Sequence, residues 1–204
     1  ALTAGASKSG KILELWCGGE ATTSTAMCTR HARASGQTGA STAGNTEKMH
    51  PNSPAKGFGF VNSKGLNALS PVAVTPDELG GAWGDEKGAG KLDYRLVCHV
   101  RGQWFGNPNA ADDMTFSLLD LVSHAAKTRP LKAGTLIGSG TVSNHDKSTG
   151  YACIMEKRLV EQVELGAAKE DFLRFGDEVD IDMFDHHGET IFGNIRNKLV
   201  KAAR

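Results

Sequence analysis

Apolar and polar residues alternate along several short stretches of the chain, and a period of two is the pattern of a β-strand with one buried face. In the clearest stretch, 93–101, the even-numbered residues are Tyr, Leu, Cys and Val. Gly102 and Gln103 then predict a tight hairpin into a strand at 104–105. Short apolar runs predict further strands at 58–61, 71–74, 135–137, 151–155, 178–183 and 190–192, with turns at 76–79 and 185–188.

One stretch changes to the period of a helix. Apolar residues recur every three or four positions from Phe116 to Ala126, Thr115 or Ser117 offers an N-cap, and the pattern stops before Pro130. Many strands, one helix and glycine-rich turns predict a mainly β (α+β) domain, built as a barrel or rolled sheet.

The first quarter of the chain lacks these patterns. Residues 17–57 contain no Val, Ile, Leu, Phe, Tyr or Trp, and Ala, Thr, Ser, Gly and Arg dominate. This composition buries too little apolar surface to offset the entropy lost on ordering the backbone. It predicts a disordered segment, or one that only a partner or a neighbouring subunit orders. A shifted reading frame or a faulty gene junction would also produce such a sequence, which suggests that residues up to about Ser53 are not the native polypeptide.

Length and charge exclude several classes of protein. The chain has 204 residues, enough for one domain with a well-formed core. Its 23 Lys and Arg residues balance 23 Asp and Glu residues, so no basic surplus indicates nucleic acid or an anionic membrane as a partner. The apolar runs are far shorter than the ~20 residues of a membrane helix, and no secretory signal is visible. Scattered cysteines without a Cys-x-x-Cys pair favour reduced thiols in a cytoplasmic protein; they are Cys17, Cys28, Cys98 and Cys153.

The most informative stretch is 131–144. Its apolar run at 135–137 breaks into Gly138-Ser-Gly-Thr, whose glycines let the backbone come close to a ligand. The hydroxyl groups of Ser139, Thr141 and Ser143 would project as hydrogen-bond donors and acceptors. This composition is typical of a strand-end loop that holds a small polar anion, and a tight turn without a ligand fits the spacing equally well. The glycines do not open a helix, which disfavours a dinucleotide or phosphate cradle.

Seven stretches in order along the chain carry motifs such as Ser70-Pro-Val-Ala-Val-Thr-Pro and Gly150-Tyr-Ala-Cys-Ile-Met-Glu; they are 55–64, 70–79, 106–117, 131–144, 150–156, 172–179 and 191–194. Together they resemble the C-terminal domain of the fumarylacetoacetate hydrolase family. The resemblance divides the chain into an atypical segment at 1–54, disordered or non-native, and a family-like but incomplete domain at 55–204.

The resemblance implies a mixed β-roll, a homodimer and a metal-dependent hydrolase. Its substrate would be a β-diketone or oxo-acid, cleaved at a C–C bond in the breakdown of tyrosine and phenylalanine. Two alternatives stay open. One is an oxo-acid isomerase or decarboxylase of the same superfamily, because fold does not determine reaction. The other is a non-catalytic remnant or binding protein.

Three positions match functional positions of the family. Lys64 matches an active-site lysine, Thr141 a threonine that contacts the substrate carboxylate, and Glu156 the glutamate of a dyad that activates water. Ser139 and Gly140 join Thr141 as substrate-binding residues. The family holds Mg²⁺ or Ca²⁺ through carboxylates that include a Glu-x-Glu pair. These metal ligands are not identifiable here, and at most Lys64 and Asn67 lie beside the metal.

The remaining ionisable groups favour structural roles. We expect a half-buried structural histidine on the helix, a surface pair of histidines in the late turn, a solvated sheet face with two aspartates, and a turn or helix cap. His124 is the helix histidine, and His186 and His187 form the surface pair. Asp180 and Asp182 belong to the solvated sheet face, and Asp112 and Asp113 to the cap.

Overall fold

A computed structural model describes residues 2–6, 12–20, 67–84, 90–131 and 135–200, with only the backbone for the first two ranges. The strand predicted at 58–61, residue Lys64 and most of the segment 17–57 lie outside these ranges. The start of that segment, residues 17–20, is strand in the structure, because Gly18 pairs with Leu69 and Glu20 pairs with Asn67. The division of the chain at residue 54 stays a prediction.

The described residues form eight strands and two α-helices. The strands are β1 (Leu2–Ala6), β2 (Ile12–Glu20), β3 (Asn67–Leu69), β4 (Arg95–Val100), β5 (Gln103–Gly106), β6 (Leu136–Gly138), β7 (Glu178–Phe184) and β8 (Ile195–Lys198). The helices are α1 (Leu118–Ala126) and α2 (Ile154–Leu165), and short 3₁₀ turns occupy Gly80–Trp83 and Lys147–Thr149.

Two antiparallel sheets contain these strands, in the orders β3-β2-β1-β6 and β5-β4-β7-β8. Strand β4 is one of the two inner strands of the second sheet, and its alternate residues Leu96, Cys98 and Val100 are buried, as the period of two predicts. Leu96 pairs with Met183 of β7. The core around them is apolar; its fully buried side chains include Leu92, Leu118, Phe192 and Leu199. Antiparallel sheets with a few helices make this an α+β domain.

Helix α1 begins at the residue that its sequence indicates. The backbone of Ser117 is extended, its hydroxyl oxygen accepts a hydrogen bond from the N–H of Asp120, and the Asp120 carboxylate accepts one from the N–H of Ser117. This reciprocal pair is a capping box. Ser117 is therefore the cap, rather than Thr115, and Leu118 directly after it is completely buried.

The hairpin between β4 and β5 is also confirmed. Its turn consists of Arg101 and Gly102, with φ of 56° and 73°. Two left-handed residues in succession match the twist of the flanking strands.

Three predicted strands are wrong. Residues 151–155 lead into helix α2: Cys153 is its N-cap, and no residue of this helix is buried. Segment 71–74 follows β3 as an irregular stretch, held by a hydrogen bond from the N–H of Val72 to the carbonyl of Phe192 at 3.1 Å. Thr190 forms only an isolated bridge with Phe184, and the last strand is β8.

Candidate functional site

The loop that follows β6 lines one side of a cavity of about 260 Å³. Ser139, Thr141 and Ser143 contribute hydroxyl groups to this wall. The opposite wall comes from the segment before α1 and from Leu121 within it. The complete lining is Ala110, Asp112, Asp113, Met114, Thr115, Phe116, Leu121, Ser139, Thr141, Val142 and Ser143. On the wall opposite the hydroxyl groups, Met114, Phe116 and Leu121 are apolar, and Asp112 and Asp113 add carboxylates. Apolar surface with a few polar groups is usual in small-molecule sites.

Two asparagines fix the polar wall in place. The backbone N–H of Asn109 donates to Oδ1 of Asn144 at 2.7 Å, and Nδ2 of Asn144 lies 3.1 Å from the carbonyl oxygens of Asn109 and Asp112. Asn109 is buried, and its own Nδ2 donates to Oδ1 of Asp93 at 2.7 Å. The loop is therefore held by hydrogen bonds to the buried residue Asn109.

Asp113 connects the two walls. Its Oδ2 accepts a hydrogen bond from the N–H of His145 at 2.9 Å, and its Oδ1 lies 3.8 Å from Nε2 of His145. Asp112 and Asp113 were predicted to cap a turn or a helix. That prediction is wrong for the helix, since Ser117 caps α1, and Asp113 instead joins the loop that follows β6.

Glu156 lies in the first turn of α2. Its Oε1 accepts a hydrogen bond from the hydroxyl of Ser143, and its backbone N–H donates to Sγ of Cys153 at 3.2 Å. Oε2 of Glu156 is buried, and no hydrogen-bond donor meets it in the structure described here. One carboxylate oxygen thus accepts a hydrogen bond from the loop, and the other is buried without a donor among the described residues.

Two glycines allow α2 to start beside β5. The carbonyl of Phe105 accepts a hydrogen bond from the N–H of Tyr151 at 3.0 Å. A Cβ on Gly106 would lie 2.3 Å from the Tyr151 nitrogen, and a Cβ on Gly150 would lie 2.6 Å from the Phe105 oxygen. Only glycine permits this approach, which places Glu156 near the loop.

The structure brings most of the proposed site residues together. Ser139 and Thr141 line the cavity, and Gly140 lies between them with φ of 84°. Glu156 is attached to the cavity wall through Ser143. Lys64 lies outside the described residues.

Asn67 was predicted, at most, to lie beside the metal. Asn67 belongs to β3 and pairs with Glu20, and its side chain is not described. The anchoring roles of Asn109 and Asn144 and the contact of Ser143 with Glu156 were not predicted from the sequence. The only local signal was their position inside the motifs at 106–117 and 131–144.

The other ionisable groups lie away from this cavity. His186 and His187 are exposed in their turn, as predicted, and the His186 ring lies 5.1 Å from the ring of Tyr94. Burial, then the charges of Asp185 and Asp93, raise the pKa of Tyr94. His124 is exposed, not half-buried, because it faces away from the core on α1.

The two aspartates of β7 do not share a solvated face as predicted. Asp180 pairs with Arg196 at 2.7 Å, whereas Asp182 is buried and accepts a hydrogen bond from the Thr190 hydroxyl at 2.6 Å. The returning chain after the turn covers Asp182, which alternation alone does not reveal.

A second cavity of about 420 Å³ is lined by charged residues that mainly pair with one another. Glu170 contacts both Arg101 and Lys157, and Arg174 pairs with Asp171 at 2.7 Å. Paired charges offer less to a ligand than the hydroxyl loop does. This cavity therefore has the character of an ion-pair network.

In the described part of the chain, no three His, Cys, Asp or Glu side chains cluster in a way that could hold a metal ion. The described residues thus do not fit the Mg²⁺ or Ca²⁺ site that the resemblance implies.

Comparison with known proteins identifies the family. The family model described as fumarylacetoacetate (FAA) hydrolase C-terminal matches residues 43–200. The chain therefore belongs to the fumarylacetoacetate hydrolase family, whose domains commonly bind divalent metal ions. A comparison with curated proteins found no match. Neither helix in the described ranges is long and apolar enough to cross a membrane.

Proposed function

We propose that this chain is a hydrolase domain that cleaves a carbon–carbon bond in a small β-diketone or oxo-acid of aromatic amino-acid breakdown. The observation that carries the proposal is the contact between Glu156 and Ser143. It attaches a carboxylate to a loop whose hydroxyl groups line a cavity. Membership of the fumarylacetoacetate hydrolase family supports the same class of reaction.

The carboxylate of Glu156 acts as the general base in this proposal. It takes a proton from water while the water oxygen forms a bond to a substrate carbonyl carbon. The adjacent C–C bond then breaks, and its electron pair passes to the second carbonyl group as an enolate. The proton on Glu156 moves to the enolate carbon, so the carboxylate is regenerated and a carboxylic acid and a ketone leave.

The hydroxyl wall would orient the substrate. Ser139 and Thr141 are proposed to hold its carboxylate end, with Gly140 allowing a close approach of the backbone. The described lining of the cavity carries the carboxylates of Asp112 and Asp113 and no Lys or Arg. An anionic substrate therefore needs a cation from another part of the chain, and Lys64 is our candidate for that role.

The apolar wall supports a substrate with an apolar group beside its oxo-acid. Met114, Phe116 and Leu121 line this side, and the Phe116 side chain is 63% exposed. Covering that ring would remove apolar surface from water and so favour binding. A short oxo-acid with an alkyl or aryl substituent fits both walls.

The substitution Glu156→Gln tests the proposal. It keeps the shape of the side chain but removes the base, so kcat should fall by about 10²- to 10⁴-fold, while the thermal unfolding midpoint stays close to that of the wild type. Activity is measured as loss of diketone absorbance over a panel of oxo-acids and β-diketones. Glu164→Gln on the exposed end of the same helix is the matched control. A fully active Glu156→Gln protein, or a wild-type protein inactive on the whole panel, would contradict the proposal.

The proposal includes a homodimer. The side chains of Met155, Leu159 and Val163, spaced four residues apart along α2, are exposed, and exposed apolar patches often mark protein–protein contacts. Sedimentation equilibrium should give twice the mass of one chain.

A further inference from the structure

We propose that Ser143 is a positioning residue that orients the carboxylate of Glu156. The inference rests on the proposed function, because it concerns the same carboxylate. The Ser143 hydroxyl donates a hydrogen bond to Oε1 of Glu156, which leaves Oε2 as the oxygen that meets the reacting water. Ser143 thus acts through Glu156 rather than on the substrate.

The backbone of Ser143 is held firmly enough to serve as a reference point. Its carbonyl oxygen lies 3.1 Å from Nδ2 of Asn144, and the same nitrogen lies 3.1 Å from the carbonyl of Asn109. Asn109 is buried and hydrogen-bonded to Asp93. The hydroxyl of Ser143 therefore projects from an anchored loop, not from a mobile one.

The Glu156 carboxylate needs such a partner because the last torsion of a glutamate side chain has no single preferred angle. Rotation about the terminal bond of a glutamate has broad minima, so an unheld carboxylate presents either oxygen. The N–H of Glu156 is already bonded to Sγ of Cys153, which fixes the backbone but not the carboxylate. The bond from Ser143 selects one orientation.

The remaining oxygen is the one suited to water. Oε2 of Glu156 is buried without a donor among the described residues. A buried acceptor without a donor is unfavourable, and a donor that arrives relieves the cost. A water O–H that donates to Oε2 would supply this hydrogen bond and be aligned for proton transfer. The orientation that Ser143 selects is thus the reactive one.

Kinetics of Ser143→Ala, Ser143→Thr and Ser123→Ala test the proposal. Ser143→Ala should lower kcat about 10-fold or more, since hydrogen bonds to charged groups are the stronger ones, with KM within about twofold of the wild type. Ser143→Thr keeps the hydroxyl and should restore most of the turnover. Ser123→Ala removes a hydroxyl from the exposed face of α1 and should change neither constant. On a Glu156→Gln background, Ser143→Ala should cause no further loss, because both changes act through one carboxylate.

A second measurement needs no substrate. In protein labelled with ¹³C at the glutamate carboxyl carbons, the Glu156 resonance is identified by its absence in Glu156→Gln. It should move in Ser143→Ala, stay in place in Ser123→Ala, and remain near its wild-type position in Ser143→Thr. If the wild-type protein turns over no oxo-acid, the proposed function fails, and this resonance still decides whether Ser143 holds Glu156. An unmoved resonance in Ser143→Ala, or a rise in KM with unchanged kcat, would overturn the proposal.

Discussion

At the scale of single residues, Asn109 forms hydrogen bonds to several segments of the chain near the site. Its Nδ2 donates to Asp93, its Oδ1 accepts from the N–H of Ala111 at 2.8 Å, and its backbone pairs with the side chain of Asn144. The side chain of Asn109 is buried, whereas its partner Asp93 is exposed. One residue thus links the chain before β4, the segment before α1 and the loop after β6.

The substitution Asn109→Ala should therefore destabilise the domain. Leaving a buried polar group without a partner typically costs about 1–3 kcal/mol. The half-buried N–H of Ala111 would lose its partner, whereas the exposed carboxylate of Asp93 can bind water instead. Urea unfolding followed by tryptophan fluorescence measures the change. The control is Asn197→Ala, at a half-buried position of β8, which should cost less than half as much. Equal effects of the two substitutions would show that the hydrogen bonds of Asn109 carry no special weight.

At the scale of elements, the cap of α1 responds to pH. Hydrogen bonds from Ser117, first from its side chain and then from its backbone, lower the pKa of Asp120 below its ordinary value of 3.8. A carboxylate whose pKa is lower in the folded state stabilises the fold at pH values above its unfolded pKa. That stabilisation is lost as the pH falls through the folded pKa.

We therefore expect Asp120→Asn to lower the thermal unfolding midpoint at neutral pH. The difference from the wild type should shrink as the pH falls below 3.8, because the wild-type carboxyl group is then protonated too. Melting curves at neutral and acidic pH measure this. Asp112→Asn serves as the control, because Asp112 is exposed and no hydrogen bond to its carboxylate occurs in the described structure. A difference that does not vary with pH would contradict the charge-dependent cap.

The junction between β5 and α2 allows a second test at this scale. Gly150 has φ of 68° and ψ of −147°, a region that is almost exclusive to glycine, and a Cβ there would meet the Phe105 oxygen. Gly166, which ends α2, has φ of 77° but open space around a Cβ. A side chain at Gly150 therefore meets both backbone strain and a steric collision, whereas one at Gly166 meets only the strain of a left-handed residue.

Gly166→Ala should cost only about 1 kcal/mol, the usual penalty of a left-handed residue with a side chain. Gly150→Ala should cost clearly more, because β5 and the start of α2 must move apart. The free energy of unfolding of both variants, from denaturant titration, measures the difference. Comparable costs would mean that the close approach at Gly150 relaxes without consequence.

At the scale of the whole molecule, a network of charges ties α2 to the second sheet. Glu170 accepts from Arg101 at the β4–β5 turn and from Lys157 of α2, and its side chain is only 11% exposed. The Lys157 ammonium also lies 4.9 Å from the ring centre of Phe105. Helix α2 has no fully buried residue, so these contacts add to the packing of its first residue, Ile154, against the core.

We expect Glu170→Gln to lower the free energy of unfolding by about 1–3 kcal/mol, since it leaves Lys157 without its counter-charge and Arg101 with only Asp177 as a partner. Asp171→Asn is the matched control, because Asp171 and its partner Arg174 are both exposed, and such surface pairs contribute at most about 1 kcal/mol. Urea unfolding at low and high salt measures both. A larger effect of Asp171→Asn would contradict the view that Glu170 holds α2 in place.

The sequence alone determined the features that depend on neighbouring residues. The alternation in β4 indicates one buried face, and Ser117 followed three residues later by Asp120 is the spacing of a capping box. The hydroxyl-rich composition after β6 indicated the loop that lines the cavity. These signals are local, because strand period, capping and turn geometry are properties of a few consecutive residues.

Only the tertiary structure decided how these pieces meet. Helix α2 was missed because the short apolar run at 151–155 fits a strand, and the apolar residues at helical spacing, Met155, Leu159 and Val163, are exposed rather than buried. Ser143 and Glu156 are 13 residues apart, and Asn109 and Asn144 are 35 apart. No periodic pattern predicts such pairs, because chain separation carries no record of distance in space. The contact of Ser143 with Glu156 exists because the glycines at 106 and 150 let α2 start against β5, which brings its first turn to the loop.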